Sequence, residues 1–303
     1  MISNQRIQKN KRSSDGHPVF SILIPTWNNL AYLKLCIESI QKNSEFHHQI
    51  IVHANESKDG TVEWLKQQQN IDYTFSENNI GICYALNIAR ELVAAEYIVY
   101  MNDDMYACPG WDKEMIREIK LIGHSYFFIS ATAIEPVDTG NPCVLVKDFG
   151  KDIQSFDEAK ILREFATLEI PDWQGSTWPP NCVHRDIWDL VGGYSVEFSP
   201  GMYSDPDFSM KLWIIGVRLF KGIGKSRVYH FGSKSTGRIR KNKGYYQFVQ
   251  KWGITSSTLT SYYLRRGKLY EGLLSDPELS LGIRLKNLWK RLQAAFHYGS
   301  HNQ

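Results

Sequence analysis

The chain has 303 residues, 43% hydrophobic and 22% charged, with a formal net charge of +3. That composition excludes whole-chain disorder and a collagen-like or coiled-coil rod, and the charge alone gives no case for nucleic-acid binding. At about 150 residues per domain, the length fits two domains or one large α/β domain with an extension.

Residues 1–17 are polar and basic with no apolar stretch behind them, so they read as a flexible tail and not as a signal peptide. VFSILIPTW (Val19 to Trp27) is an unbroken apolar run of strand length, suited to a strand buried on both faces of a parallel sheet. Apolar residues at Leu30, Leu33, Ile37 and Ile40 predict a helix to Lys42, and Gln49 to His53 a second strand. The turn NESKDGT, with Asp59-Gly60, leads into a helix from Thr61 to Gln68. Tyr73 to Phe75 is a weak strand, a helix starts near Asn78-Asn79-Ile80-Gly81 and runs to Val93, and YIVYM (Tyr97 to Met101) is a fourth strand ending in Asn102-Asp103-Asp104.

Beyond it come a helix at Trp111 to Leu121, a strand at Tyr126 to Ala133 and a Pro-containing polar region. Then follow a strand at Cys182-Val183, a helix from Arg185 to Val191, the turn Gly192-Gly193, a helix from Pro206 to Ile215 and a strand at Val217 to Phe220. The last 70 or so residues are basic and mostly helical. Strand and helix alternate, which predicts a doubly wound α/β sheet with ligands at the carboxyl ends of its strands.

Five scattered cysteines, none spaced C-x-x-C, argue against a disulfide framework or zinc knuckle and for a reducing compartment. No apolar run approaches the roughly 20 residues of a bilayer span. The expected location is the cytoplasm, with the inner face of the membrane as the alternative.

Three features carry chemistry. Asp103-Asp104 puts two carboxylates at the mouth of a buried strand, where they need a cation or hydrogen-bond donors; oxygen ligands there suit Mg²⁺ or Mn²⁺. The plain alternative is a solvated Asn-Asp turn. Ser204-Asp205-Pro206-Asp207 opens a helix, and helix capping accounts for one of its aspartates. His230 in VYHFGSKST is a lone histidine, which is ordinarily a packed core residue. GIGKS (Gly222 to Ser226) is not a P-loop, because Leu219 stands where that pattern needs glycine, and no G-x-G-x-x-G follows the first strand.

Taken together, SILIPTWNN, NESKDGT, NNIGICYALNIAR, YMNDDM and YSDPDFSMKLW, followed by YHFGSKST and YQFVQKWG, resemble glycosyltransferase family 2 over roughly residues 18–253. The resemblance implies a GT-A fold: Rossmann-like α/β, a mostly parallel sheet with helices on both faces, plus a helical C-terminal extension. It divides the chain into a tail (1–17), a catalytic domain (18–232) and a basic lid segment with the helical extension (233–303). It implies that Pro25, Thr26 and Asn28 lie beneath the nucleotide. Glu56, Ser57 and Asp59 belong to the loop cradling the base, and Asn79, Gly81 and Asn87 line the same cleft.

By the same resemblance Asp103 touches ribose or metal, Asp104 and His230 are the metal ligands, Asp205 is the general base and Asp207 its neighbour on the loop. The implied cofactor is Mn²⁺ or Mg²⁺, and the implied substrates are a UDP-, dTDP- or GDP-sugar and a glycan or lipid-linked acceptor. Two positions depart from the family pattern: Ala54 where an aspartate commonly reads the base, and Ser204 where glutamate often precedes the catalytic aspartate.

The expected activity is metal-assisted, inverting sugar transfer by single displacement. The alternatives are a non-catalytic scaffold that binds nucleotide-sugar and, more remotely, a sugar-1-phosphate nucleotidyltransferase. Lys234, Arg238, Arg240, Lys241 and Lys243 read either as a solvated loop or as a lid over the diphosphate. Trp111, Trp173 and Trp178 are candidates for sugar stacking, at least one of them structural. Leu281, Leu285, Leu288, Leu292 and Phe296 form one helical face flanked by Arg284, Lys286, Lys290 and Arg291. Its first reading is a core-facing side and its second a membrane-surface helix. A homodimer is a further open arrangement.

Overall fold

The computed structural model describes residues 7–12, 16–232 and 243–299. Its sheet begins where the apolar pattern is densest. β2 (Phe20–Trp27) lies between β3 (Gln49–Asn55) and β5 (Tyr97–Tyr100), parallel to both, and β4 (Ile71–Ser76) continues beside β3. Alternation along these strands divides the core. Ile22, Ile24 and Val52 join one cluster with α1 (Leu30–Asn43) and α4 (Trp111–Ile122). Leu23, Ile51 and Ile98 join the other, with α3 (Ile82–Arg90), α6 (Arg185–Leu190) and α7 (Ser204–Ile214). Helices therefore cover both faces, as the unbroken apolar strands require.

β3 is buried along its whole length despite Gln49 and His53. Gln49 donates to Asp72 at 2.6 Å, and the ring nitrogens of His53 meet Thr74 and Ser76 on β4. Burial pushes His53 down to about 4, so it is a neutral cross-strand link.

The second half of the sheet is mixed. β10 (Asn181–His184) runs antiparallel to both β5 and β7 (Phe127–Glu135). β7 is parallel to β11 (Leu219–His230), and β11 pairs antiparallel with β6 (Met105–Ala107). Short strands β8 (Val144–Val146) and β9 (Trp173–Gln174) attach to β7 and β11. α2 (Thr61–Gln67) and α5 (Glu158–Glu164) lie in connections.

Some boundaries differ from the sequence reading. Gln8–Asn10, inside the expected tail, is β1, an edge strand antiparallel to β4. β11 runs ten residues past Phe220, through GIGKS, with a register shift between Ile223 and Arg227. Its glycines hid it: a Cβ at Gly222 would lie 1.8 Å from the Trp173 ring, so the glycine lets an indole rest on the strand. The five cysteines are buried free thiols.

The C-terminal extension holds α8 (Gly244–Trp252), the single turn α9 (Ser256–Thr258) and α10 (Leu281–Gly299). Buried Asn287 fixes α10 by accepting from Thr255 N at 3.2 Å and Thr258 Oγ1 at 2.9 Å, and Ala294 is fully buried. The leucine stripe does not face the core. Leu288 is 55% and Phe296 78% exposed, with Leu281, Leu285, Trp289 and Leu292 exposed beside them. The inward positions are taken by Asn287 and Ala294, on the opposite side of the helix. Among the described residues no helix is long and apolar enough to cross a membrane. Of the basic lid residues, only Lys243 lies within the described residues.

Candidate active site

Strand register brings the first group of residues together. His230 ends β11 opposite Met105 at the start of β6, so the neighbouring Asp104 meets its ring across 126 positions of sequence. Phe231 N donates to Asp104 O at 3.2 Å, which closes the corner. β7 runs parallel to β11 with Ile134 beside Tyr229, and that places Glu135 next to His230.

The His230 Nδ1 to Glu135 Oε1 distance is 2.9 Å, and Nε2 stands 3.4 Å from Asp104 Oδ1. Among the described residues Nε2 makes no hydrogen bond, and it faces the buried Asp104 carboxylate. Burial opposes the imidazolium, but the two carboxylates outweigh it and raise His230 to about 10.

Once a cation displaces the ring proton, an imidazole oriented by one carboxylate and facing a second is a donor set that a divalent cation fits. Among the described residues no cluster of three or more His, Cys, Asp or Glu could hold a metal. Asp104 and His230 alone would leave most coordination positions to ligand oxygens and water, the usual situation for an ion bound with phosphates.

Asp205 comes from a different element, the first turn of α7. Its Oδ1 accepts from Tyr194 Oη at 3.2 Å. Tyr194 is itself held: Asn87 accepts from its N–H at 2.8 Å and donates to its carbonyl at 2.7 Å, and its ring stacks on Phe208 at 4.6 Å. Burial lifts Asp205 to about 7, against the Tyr194 hydrogen bond, which lowers it. A carboxylate near neutrality with one oxygen held by a phenol has the properties of a general base.

Asp104, His230 and Asp205 line one cavity of about 750 Å³, together with Pro25, Asp103 and Glu135. Thr26 sits behind Asp103 and donates to it at 2.6 Å. The other expected site residues have different contacts. Asp59 accepts from Leu30 N and from Thr61 N and Oγ1, fastening the starts of α1 and α2. Asn28 accepts from Lys58 N at 2.6 Å, and Glu56 accepts from Trp27 Nε1 at 2.8 Å while pairing with Lys58, so the loops after β2 and β3 lock together.

Asn79 accepts from Gly81 N at 2.9 Å. Gly81 has φ +78, and a Cβ there would strike Ser199 and Pro200, so it is a close-approach position between loops. Asn87 acts through Tyr194. The expected place of Asp207 beside the base is not what the fold provides. Asp207 is fully buried outside the cavity lining, and Ser195, Trp252 and Lys251 consume its oxygens at 2.5, 2.9 and 2.8 Å.

Of the tryptophans, Trp111 is fully buried core, and Trp173, which donates to Thr132 at 2.9 Å, is buried in the cavity wall. Trp178 is part-exposed in that wall. Sequence reasoning missed Glu135, a single glutamate before Pro136 with no motif around it. It also missed Tyr194, whose only flag was the Gly192-Gly193 turn before it.

Residues 21–159 match the family model described as Glycosyl transferase family 2. The chain is 27% identical over 105 residues to "Putative teichuronic acid biosynthesis glycosyltransferase TuaG" of Bacillus subtilis, a match covering 33% of this chain and 40% of that protein. It is 23% identical over 103 residues to "Putative glycosyltransferase EpsH" of the same organism, covering 33% of this chain and 30% of that protein. The chain thus matches less than half the length of these relatives.

S. aureus TarS 1-349, also solved with UDP and with UDP-GlcNAc, resembles this chain with a TM-score of 0.56 at 14% identity, over 93% of this chain and 73% of its own. GalNAc-T7 with UDP, GalNAc and Mn²⁺ resembles it with a TM-score of 0.56 at 13% identity, over 95% of this chain and 58% of its own. At such identity the likeness concerns the fold, which is the GT-A arrangement of sheet and helices. Residues 21–159 are therefore similar to glycosyl transferase family 2, and the rest of the chain shares the fold of the solved neighbours.

Proposed function

We propose that this protein transfers a sugar from a nucleotide-sugar donor to a hydroxyl group of a glycan or lipid-linked acceptor, with inversion at the anomeric carbon. One observation carries the reading: Asp205, raised to about 7, shares a single cavity with the Asp104–His230 pair although the two come from separate elements. The names of the relatives support it, as do the UDP, UDP-GlcNAc and Mn²⁺ bound in the structural neighbours.

In this reading the donor's nucleoside lies over the carboxyl ends of β2 and β5, near Pro25 and Asp103. Asp104 and His230 would hold a Mn²⁺ or Mg²⁺ ion, whose charge would stabilise the departing diphosphate. Glu135 orients the His230 ring. Asp205 takes the proton of the acceptor hydroxyl while that oxygen attacks C1 from the face opposite the leaving group, and a single displacement inverts the centre. Proton transfer of this kind contributes about 10²–10⁴-fold to rate. Tyr194 holds the base in place.

Screening UDP-, dTDP- and GDP-sugars for thermal stabilisation with Mn²⁺, followed by transfer and hydrolysis assays, tests the proposal. Asp205→Asn should keep donor binding and lose turnover. A protein that binds none of the donors, or an Asp205→Asn variant with normal turnover, contradicts it. We further propose that α10 brings the enzyme to an anionic membrane surface. Its exposed leucine stripe lies between Arg284 and Arg291 on one flank and Lys286 and Lys290 on the other, and the helix contains no acidic residue.

A further inference from the structure

Several buried or half-buried cations among the described residues have polar partners. Lys221 pairs with Glu118 and Asp172, Lys251 with Asp207 and Glu197, and Arg218 with Asp276. Arg227 spends its guanidinium on backbone carbonyls of Gly224 and Phe165. Arg266 differs from these. It lines the catalytic cavity from the C-terminal extension, with its guanidinium carbon 4.1 Å from the centroid of the Trp178 ring. Among the described residues its guanidinium makes no hydrogen bond or ion pair. The basic stretch 233–242 contains no acidic residue either.

The backbone around Arg266 is fixed. Its N–H donates to Thr260 O and the next N–H to Gln174 O, both at 2.9 Å. A Cβ on Gly175 would come within 2.7 Å of its Cα, so the two segments touch. Burial pulls the guanidinium below its ordinary value, as expected of a cation short of counter-charge. A planar guanidinium set over an indole face is pre-organised for bidentate pairing, and this one lines the cavity.

Trp178 precedes β10, which lies on the far side of β5 from β2. The Trp178–Arg266 wall therefore stands away from the β2–β5 edge that takes the donor in the reading above, on which the assignment of sides rests. We propose that Arg266, stacked on Trp178, is an oxyanion subsite on the acceptor side of the cavity, and that the acceptor carries a phosphate or carboxylate close to the hydroxyl that is glycosylated. A neutral glycan offers this guanidinium hydroxyl acceptors but no counter-charge. A bidentate oxyanion satisfies it and fixes the acceptor's register before the Asp205 carboxylate.

Calorimetric titration tests this with two probe sets on the full chain. Inorganic phosphate and malonate are titrated in metal-free buffer, and UDP with Mg²⁺, into wild type, Arg266→Gln, Arg266→Lys and Trp178→Leu. Phosphate or malonate affinity should fall about tenfold or more in Arg266→Gln, fall less in Arg266→Lys and fall in Trp178→Leu, while UDP affinity changes by less than about twofold.

The better-bound of the two probes assigns the acceptor's group. No anion binding by wild type, or equal anion affinity in wild type and Arg266→Gln, overturns the subsite. UDP affinity that falls in step with phosphate affinity makes the oxyanion the donor's own diphosphate and overturns the acceptor assignment. Loss of anion binding in Arg266→Gln, in a protein whose wild type binds no UDP, would support the anion site while removing the transferase reading. Retained cooperative melting and the Arg266→Lys intermediate separate a local effect from misfolding.

Discussion

The Tyr194 hydroxyl donates to Asp205 Oδ1 at 3.2 Å, and Tyr194 is in turn clamped by Asn87 from α3 and stacked on Phe208 from α7. The bond favours the carboxylate, while burial favours the acid and dominates, leaving Asp205 at about 7. Tyr194→Phe deletes the donor and keeps the ring. The group should then titrate higher by about one pH unit, since a hydrogen bond to a charged group contributes about 1.5–3 kcal/mol, reduced here by residual solvent. The acidic limb of kcat/KM against pH should move up accordingly, with activity at pH 6 falling more than activity at pH 9. An unchanged limb would mean that Asp205 is not the titrating base.

The same carboxyl group makes a stability prediction. Asp205 binds its proton more tightly folded than unfolded, where the ordinary value is 3.8. Between about pH 4 and pH 7 the native state therefore holds more protons than the unfolded state, and stability drains away as pH rises through this window, with no further loss above it. Asp205→Asn carries no such penalty. It should gain on wild type progressively from pH 4 to pH 8, by a few kcal/mol at most, because each pH unit separating the folded and unfolded titrations is worth about 1.4 kcal/mol. Melting curves of both proteins across this range check it, and parallel curves would refute the raised value.

Glu135 and His230 form the third test. Glu135→Gln keeps the shape but weakens the orientation of the imidazole. Carboxylates in this role typically matter about 10–100-fold for metal affinity. Mn²⁺ dependence of UDP binding should move to higher metal concentration by that factor, whereas metal-independent UDP affinity stays put. Asp104→Ala should abolish the metal dependence altogether. A Glu135→Gln protein with the wild-type Mn²⁺ midpoint would reduce the glutamate to a packing residue.

What the sequence disclosed, and what it concealed, follows from distance along the chain. The unbroken apolar run of VFSILIPTW and the 3.6-residue period after Leu30 reflect local burial, and β2 and α1 occupy those stretches. The approach of Asp104 to His230 came from resemblance, because the β6–β11 register that creates it is set by non-local pairing. Glu135 stayed hidden for the same reason. α10 shows the opposite failure: its leucine period is a helix signal, but period alone does not say which side meets the protein. The inward side is instead the one bearing Asn287 and Ala294. The resemblance sets Asp207 beside Asp205 on one loop, whereas two steps along a helix turn a side chain to nearly the opposite face.

That geometry sets the expectation for Asp207. Its buried carboxylate joins α7 to α8 through Lys251 and Trp252, and to the preceding loop through Ser195. Asp207→Ala leaves Lys251 and an indole N–H short of a partner and should cost about 3 kcal/mol, roughly 5–10 °C in melting temperature for a domain of this size. UDP affinity measured well below the melting point should remain close to wild type, and any loss of turnover should track the loss of folded protein. A stable Asp207→Ala protein with turnover abolished would instead return this aspartate to the chemistry.

The exposed stripe of α10 gives the last test. Leu281, Leu285, Leu288, Leu292 and Phe296 lie on the side away from Asn287 and Ala294, with Trp289 at its edge. A bilayer interface would receive this apolar face while the flanking Arg284, Lys286, Lys290 and Arg291 meet lipid phosphates, each basic residue adding about 1 kcal/mol near an anionic surface. Wild type should float with phosphatidylglycerol-containing vesicles, should bind pure phosphatidylcholine vesicles less, and should be released by salt. The double variant Leu288→Glu, Leu292→Glu changes only exposed positions, so its melting temperature should hold while vesicle affinity drops about tenfold or more. Equal flotation of the two proteins, or wild type that stays in solution while self-associating through this face, would assign the stripe to a second copy of the chain and not to lipid.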